Sequence, residues 1–586
     1  MRAIRKIAGR VTLAVLVPLA LIGVVELALR ALDLGYPTGF LLETKVRDHA
    51  ALVDNPFYGY RFFSPELARN PAPILTSPEK APGTVRVVVL GESAAQGDPL
   101  MQFGPPRMLQ CVLNSAAATG RFEVINAAMT AINSSVIVDI AREMTACRPD
   151  VYVLYIGNNE VIGPYGPGTV FTALPGLTRL APARVSFTGW RSAFFLREGL
   201  TALLPSKRGS SQWSGLAMFS ERPVAFGDRS LLAMYDLFER NIRAIVRRAR
   251  SAGAQVILCT VAVNLADCPP FGGPKAAVEF KRVRGLRARG ETIAARETLK
   301  RARDLDLYRF RADSVLNDRL RKLAAELGTP LVDAERVFDE AWAGGTPDAE
   351  LFVDHVHFTF AGTHRLATAI AGAVAGLYPE CFPDPAWPDE ARCRERLFYT
   401  PWSEQQMALI MLDRRRHPPF DRQADNRTQL KRLENEARRL ASLISSADLD
   451  ELGRRYERLR TSSPDDFFLP FDWGAILCDR ERWDDAIKVL LSALELVPLH
   501  FEARKLPALA LCRGGRPEQA AGVLLGTDAR RGYFVADYAL EIMSLLNGQG
   551  QREQALALGR SLLEKAPRLP YRSRVQAALR RMIQLP

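Results

Sequence analysis

Five short, β-branched apolar runs separated by helical patterns constrain this chain more than any other feature. They are 85–91 (VRVVVLG), 122–128 (FEVINAA), 151–157 (VYVLYIG), 255–261 (QVILCTV) and 330–333 (PLVD). A run that is apolar at almost every position is buried on both faces, as inside a parallel sheet; a sheet with one wet face alternates instead. Helical patterns lie between the runs, as at 232–249 and 315–327. The alternation predicts an α/β, doubly wound parallel-sheet domain over about 84–378.

The N-terminus carries a different pattern. Arg2, Arg5, Lys6 and Arg10 precede an almost unbroken apolar run, 11–25, which continues past Glu26 to about residue 32. About twenty residues at 1.5 Å rise match a hydrocarbon core of about 30 Å. Basic residues ahead of the run put the N-terminus in the cytoplasm and the rest outside. A cleaved signal peptide starts in the same way, but this run is long for one and no small-x-small site follows it. The expectation is a retained transmembrane signal anchor over 1–33, single-pass in the inner membrane, with the remainder facing the periplasm. Residues 34–83, rich in Pro, Phe and Tyr, read as a stem.

Beyond a Pro-rich bridge at 381–401 the pattern turns helical, with 379–464 a linker and helical bridge. Ala486, Ala520 and Ala555 recur 34 and 35 positions apart, in the blocks WDDA, PEQA and REQA. Pro498 and Pro567 stand twelve residues after the first and the last, and Gly474 twelve before the first. Small residues where helices cross, and a proline closing the second helix, suit stacked helix pairs; coincidental helical spacing is the alternative. Residues 465–586 resemble tetratricopeptide repeats. The resemblance implies a surface for a protein partner that stands apart from any chemistry.

Lys and Arg exceed Asp and Glu by 13, yet the arginines alternate with acids along helices, as at 434–439. There is no dense basic arm, which argues against a nucleic-acid partner. The eight cysteines form no C-x-x-C pair and no zinc spacing. Cys381 and Cys393 are either a disulfide, if exported, or two buried thiols.

Four short blocks carry the chemistry. Gly91-Glu-Ser93-Ala-Ala-Gln-Gly97 follows the first strand run, where a serine projects into the ligand crevice of a parallel sheet or merely caps the next helix. Asn126-Ala-Ala128 ends the second run and Gly157-Asn-Asn159-Glu160 the third; each offers a hydrogen-bond donor for an oxyanion, or a turn. Asp354-His-Val-His357 follows the last run. Serine needs a neutral imidazole to take its proton and a carboxylate to fix that imidazole's tautomer, and residues three apart in one loop can supply both. His355 has the wrong spacing from Asp354 and His364 lies seven residues beyond His357, which leaves His357 as the base.

All four blocks, in this order, resemble the SGNH (GDSL-type) hydrolase superfamily over about 84–378. The resemblance implies a three-layer flavodoxin-like domain performing acyl transfer, with Ser93 the nucleophile, His357 the base and Asp354 its orienting carboxylate. It implies an oxyanion hole from the N–H groups of Ser93 and Ala128 and the Asn159 side chain. Glu92 and Glu160 depart from the family's usual aspartates, and Ala128 and Ala131 from its glycines. Alanine keeps the N–H as donor if its φ is negative.

Between Glu160 and Asp354 lies an insertion, about 165–310, holding an apolar-aromatic stretch (170–204). The basic stretch 281–311 overlaps its end. These read either as a lid with an anion-sensing surface or as extra packing with a solvated helix. The function expected is a membrane-anchored, extracytoplasmic serine ester hydrolase acting on an acyl ester. The alternatives are an O-acyltransferase moving acetyl groups to or from a polysaccharide, and a catalytically weak scaffold recruiting partners through its repeats. No metal or nucleotide cofactor is implied: G-x-x-x-x-G-K-[S/T], G-x-G-x-x-G and H-E-x-x-H are all missing.

Overall fold

The computed structural model describes residues 2–171, 180–203, 215–526, 533–569 and 571–584. The five apolar runs fall on five strands: β4 (Thr84–Gly91), β5 (Arg121–Asn126), β6 (Val151–Tyr155), β7 (Gln255–Cys259) and β8 (Leu331–Val332). They form one parallel sheet in the order β5-β4-β6-β7-β8. Val87, Val88 and Leu90 of β4 are fully buried, as a central strand covered on both faces requires. The crossover from β4 to β5 runs one way along the sheet and that from β5 past β4 to β6 runs the other. Right-handed connections therefore place their helices on opposite faces. Helix Pro105–Ala116 packs with helix Phe360–Leu377, and helix Ser134–Glu143 with helix Arg229–Ser251. The strand ends that reverse direction, β4 and its two neighbours, open the crevice where such sheets bind ligands.

Three antiparallel strands occupy part of the stem: β1 (Leu41–Val46), β2 (His49–Asp54) and β3 (Leu75–Thr76). The C-terminal part is helical. Helix Phe468–Asp479 packs on Trp483–Leu494, Lys505–Arg513 on Pro517–Leu525, and Tyr533–Gly548 on Arg552–Lys565. Ala486, Ala520 and Ala555 are each fully buried. A side chain at Gly474 would drive into Leu490, so the first crossing demands a residue without Cβ.

Three expectations meet the structure here. Residues 2–31 form one helix, Arg2–Ala31, but among the described residues no helix is long and apolar enough to cross a membrane. The side chains of residues 1–15 lie outside the described residues. Farther along, Glu26 breaks the apolar surface: its carboxylate accepts the Arg191 and Ser192 N–H groups, each at 2.9 Å, at the start of helix Arg191–Leu203.

The basic stretch divides: Lys281, Arg282, Arg284, Arg287 and Arg289 are exposed, as on a solvated helix, whereas Arg296, Arg303, Arg309 and Arg311 are buried and paired. Arg296 pairs with Asp348 and Asp339, Arg303 with Asp304 and Glu335, Arg309 with Asp313, and Arg311 with Asp306. Of the apolar-aromatic stretch, 172–179 and 204 lie outside the described residues.

The cysteines are all free thiols. Cys393 neighbours Cys111, because helix Glu390–Arg396 packs on helix Pro105–Ala116.

Candidate active site

Ser93 is the first residue of a short helix, Ser93–Gln96, that begins directly beyond β4. Gly91 is required there: a Cβ would lie 2.3 Å from Ala95 Cβ and 2.5 Å from the Tyr155 carbonyl oxygen. Gly97 ends the turn in the left-handed region, at φ 99°, which glycine adopts without cost. As the first helical residue, Ser93 has an N–H with no acceptor inside its own helix.

The Asp354–His357 loop lies just before helix Phe360–Leu377, whose first turn Thr359 caps through the Gly362 N–H. Asp354 Oδ1 accepts the backbone N–H groups of Val356 and His357, each at 2.9 Å, which wraps the loop around one carboxylate. Its other oxygen lies 2.7 Å from His357 Nδ1, and His357 Nε2 lies 2.8 Å from Ser93 Oγ. The structure thus brings Ser93, His357 and Asp354 into one continuous chain of hydrogen bonds across 264 positions of sequence. All three are buried, Ser93 retaining 9% exposure.

Charge reinforces the geometry. Burial pushes the Asp354 carboxyl up, but His357 and His355 outweigh it and hold it well below the usual carboxylate range. Burial likewise pushes the His357 imidazole down, while Asp354 and then Asp98 raise it above its ordinary value. A carboxylate on Nδ1 also fixes which nitrogen faces the serine.

The remaining blocks gather at the same strand ends. Strand register sets Gly91 beside Tyr155 and Val89 beside Asn126, so the residues beyond each strand are neighbours. Glu92 accepts the N–H groups of Asn158 at 2.8 Å and Asn159 at 3.1 Å, tying the turn after β6 to the turn after β4. Asn158 Oδ1 accepts the Ala312 N–H at 3.0 Å, whereas the Asn159 carboxamide makes no hydrogen bond among the described residues. Ala128 is not in the left-handed region, and its N–H points to Asn126 Oδ1 at a long 3.2 Å. Ala131 does take a positive φ, 64°, a conformation that costs a residue with a Cβ about 1–2 kcal/mol.

Glu160 accepts the Ser134 N–H and hydroxyl, each at 2.8 Å. Burial pushes its carboxyl up to about 7. Burial, and then the charge of Glu160, raises Glu92 well above its ordinary value.

The two other histidines of this region stand aside. His355 packs its ring against Phe271, Phe310 and Phe420, with Nδ1 3.2 Å from Asp354 Oδ1. His364 donates to the Pro388 carbonyl at 2.9 Å. Asp354, His355 and His357 also lie close enough together to hold a metal ion. Both Asp354 oxygens and His357 Nδ1 are already engaged within the chain, and the three are not assigned as ligands.

Two residues that the motifs did not reveal complete the surroundings. Asp98 Oδ2 lies 3.4 Å from His357 Nε2, and Arg414, from helix Pro401–Arg415, lies 2.6 Å from that same oxygen. Asp98 stands just after Gly97 of the first block; Arg414 carries no local signal at all. A cavity walled by Ala94, Asp98, Phe103, Phe358, Phe360 and Tyr399 holds only about 10 Å³.

No protein-family model matches the sequence, and neither does any curated protein. Solved structures with some likeness include a catalytic mutant of Axe2, an acetylxylan esterase from Geobacillus stearothermophilus. It is 14% identical, with a TM-score of 0.27, and the match covers 50% of this chain and 94% of that one. A lipase/acylhydrolase from Enterococcus faecalis is 14% identical over 52% of this chain and 99% of its own, with a TM-score of 0.26. A GDSL-like lipase from Bacteroides thetaiotaomicron VPI-5482 is 12% identical over 50% and 88%, with a TM-score of 0.24. Likeness at this level assigns no activity to this chain.

Proposed function

We propose that this protein is a serine ester hydrolase of the SGNH (GDSL) type, with Ser93 the nucleophile, His357 the general base and Asp354 its orienting carboxylate. The observation that carries the reading is the hydrogen-bonded line from Ser93 Oγ through both nitrogens of His357 to Asp354. Ser93 Oγ attacks the ester carbonyl as its proton passes to His357 Nε2. The same proton then leaves with the departing alcohol, giving an acyl-serine. Water, deprotonated by His357, attacks the acyl-serine, and the proton returns to Ser93 as the acid departs. The N–H groups of Ser93 and Ala128 and the Asn159 carboxamide are the donors for the oxyanion; each lies at the end of its strand without a strong competing acceptor.

The N-terminal helix serves as a membrane anchor: Leu16, Leu21, Val24 and Leu27 are apolar and more than half exposed to their surroundings. The C-terminal helix pairs, tetratricopeptide-like in their alanine period, take a protein partner.

A fluorophosphonate probe tests the core of this reading. The purified protein becomes labelled on Ser93 and loses its p-nitrophenyl acetate hydrolysis in parallel. A protein that hydrolyses the ester yet is not labelled, or is labelled elsewhere, refutes the assignment.

A further inference from the structure

Arg414 reaches the site from beyond the sheet-bearing segment. Its guanidinium lies 2.6 Å from Asp98 Oδ2 and 3.5 Å from Asp354 Oδ2. Asp98 Oδ2 is in turn 3.4 Å from His357 Nε2, the atom that bonds Ser93. Two carboxylates therefore face opposite nitrogens of one imidazole, and a single guanidinium touches both. A Ser-His-Asp mechanism uses neither Asp98 nor Arg414.

Each carboxylate close to the ring favours imidazolium, and a base that is already protonated cannot take the serine proton. Asp98 also competes for Nε2: the N–H of an imidazolium would turn toward a free carboxylate rather than toward a hydroxyl. A guanidinium bound to Asp98 opposes both effects, by its own positive charge near the ring and by occupying the carboxylate. His355 also packs on the ring, at a ring separation of 5.8 Å. Burial lowers its basicity, so it adds little positive charge.

Resting on the hydrolase reading above, we propose that Arg414 is a positioning residue: it occupies the Asp98 oxygen that stands 3.4 Å from His357 Nε2 and so keeps that imidazole available to Ser93. The helical region that carries it then belongs to the active site.

The test is the pH dependence of kcat/KM for p-nitrophenyl acetate, measured on the full-length protein. Arg414→Ala leaves Asp98 free to pair with His357, so the acid limb moves up by about one pH unit or more. Just below that limb the activity falls about tenfold, and it recovers as the pH is raised. Arg414→Lys, which keeps the charge, moves the limb by less. Asp98→Asn alone moves it down, and combined with Arg414→Ala brings it back toward the wild-type position. An unmoved limb in Arg414→Ala, or a loss equal at every pH that Asp98→Asn does not reverse, overturns the proposal. Should Arg414→Ala fail to fold by circular dichroism, Asp98→Asn decides alone: a limb that does not move down overturns it. Ser93→Ala separates the two readings. Activity that survives it defeats the hydrolase reading, whereas Ser93-dependent activity with an unmoved limb defeats only the role of Arg414.

Discussion

His500 Nδ1 lies 2.9 Å from Asp54 Oδ2, joining the helical region to strand β2 of the stem through a fully enclosed ion pair. Burial pushes the His500 imidazole down, but the Asp54 charge and hydrogen bond outweigh it and raise it above its ordinary value. A basic group raised on folding contributes stability that is complete below its unfolded value, about 6.5, and is lost as the pH climbs through the folded one. His500→Ala therefore destabilises the protein more at about pH 6 than at about pH 9. Urea midpoints at the two pH values measure the difference; equal losses would show that the pair is not charged.

The hydrogen-bonded line at the site makes a sharper prediction. Ser93→Ala and His357→Ala each lower p-nitrophenyl acetate turnover by about 10³-fold or more, the scale for members of a triad. His364→Ala retains most of it, since that ring is spent on the Pro388 carbonyl. Equal loss from His364→Ala and His357→Ala, at unchanged fold, would refute the choice of base.

Asn158 and Asn159 are adjacent yet serve differently. Asn158 holds the buried Ala312 N–H, so Asn158→Ala costs stability, about 1–3 kcal/mol for an orphaned buried donor. Asn159→Ala removes an uncommitted donor and lowers kcat by about 10²- to 10³-fold with little change in stability. Thermal melts beside steady-state kinetics separate the two; the reverse pattern would exchange their roles.

A chain cut near residue 400 tests whether the helical region stands apart from the chemistry, as the sequence led us to expect. The structure argues otherwise. Arg107 of helix Pro105–Ala116 pairs with Asp466 at 2.7 Å, Gln102 donates to Asp472 at 3.1 Å, and Arg414 sits beside Asp98. The shortened chain loses most of its small-ester turnover, by about tenfold just below its acid limb from the missing guanidinium alone. Turnover within a few-fold of the full chain would restore the simpler division.

Cys111 and Cys393 are neighbours on packed helices. Exposure to oxidised glutathione yields a disulfide between them, with two glutathione thiols released for each bond formed. Peptide mapping under non-reducing conditions identifies the pair. A Cys381–Cys393 crosslink instead would mean that helix Glu390–Arg396 sits elsewhere.

What the sequence determined by itself is local. A strand covered on both faces must be apolar at each position, so VRVVVLG and VYVLYIG announce β4 and β6 without reference to anything distant. Histidine is scarce enough that His357 stands out beside Asp354 before any coordinates are known, and Ser93 stands out just beyond the apolar run of β4. The alanine spacing near residues 486, 520 and 555 is legible because each helix pair takes a similar length of chain and repeats its small residue at the crossing.

Tertiary structure alone decided what meets what. Arg414 looks like any solvated arginine of a helix, and only the packing of Pro401–Arg415 over the crevice lays it on Asp98. Arg296, Arg303, Arg309 and Arg311 read as a basic surface because their partners lie elsewhere in the chain or around a turn; once folded, buried charge must be paired, and it is. Cys393 lies twelve residues from Cys381 and far from Cys111 in sequence, yet one helix packing on another chose the distant partner. Periodicity records which face of an element is buried. It does not record which other element covers that face, and in this protein the surroundings of Ser93 depend on that choice.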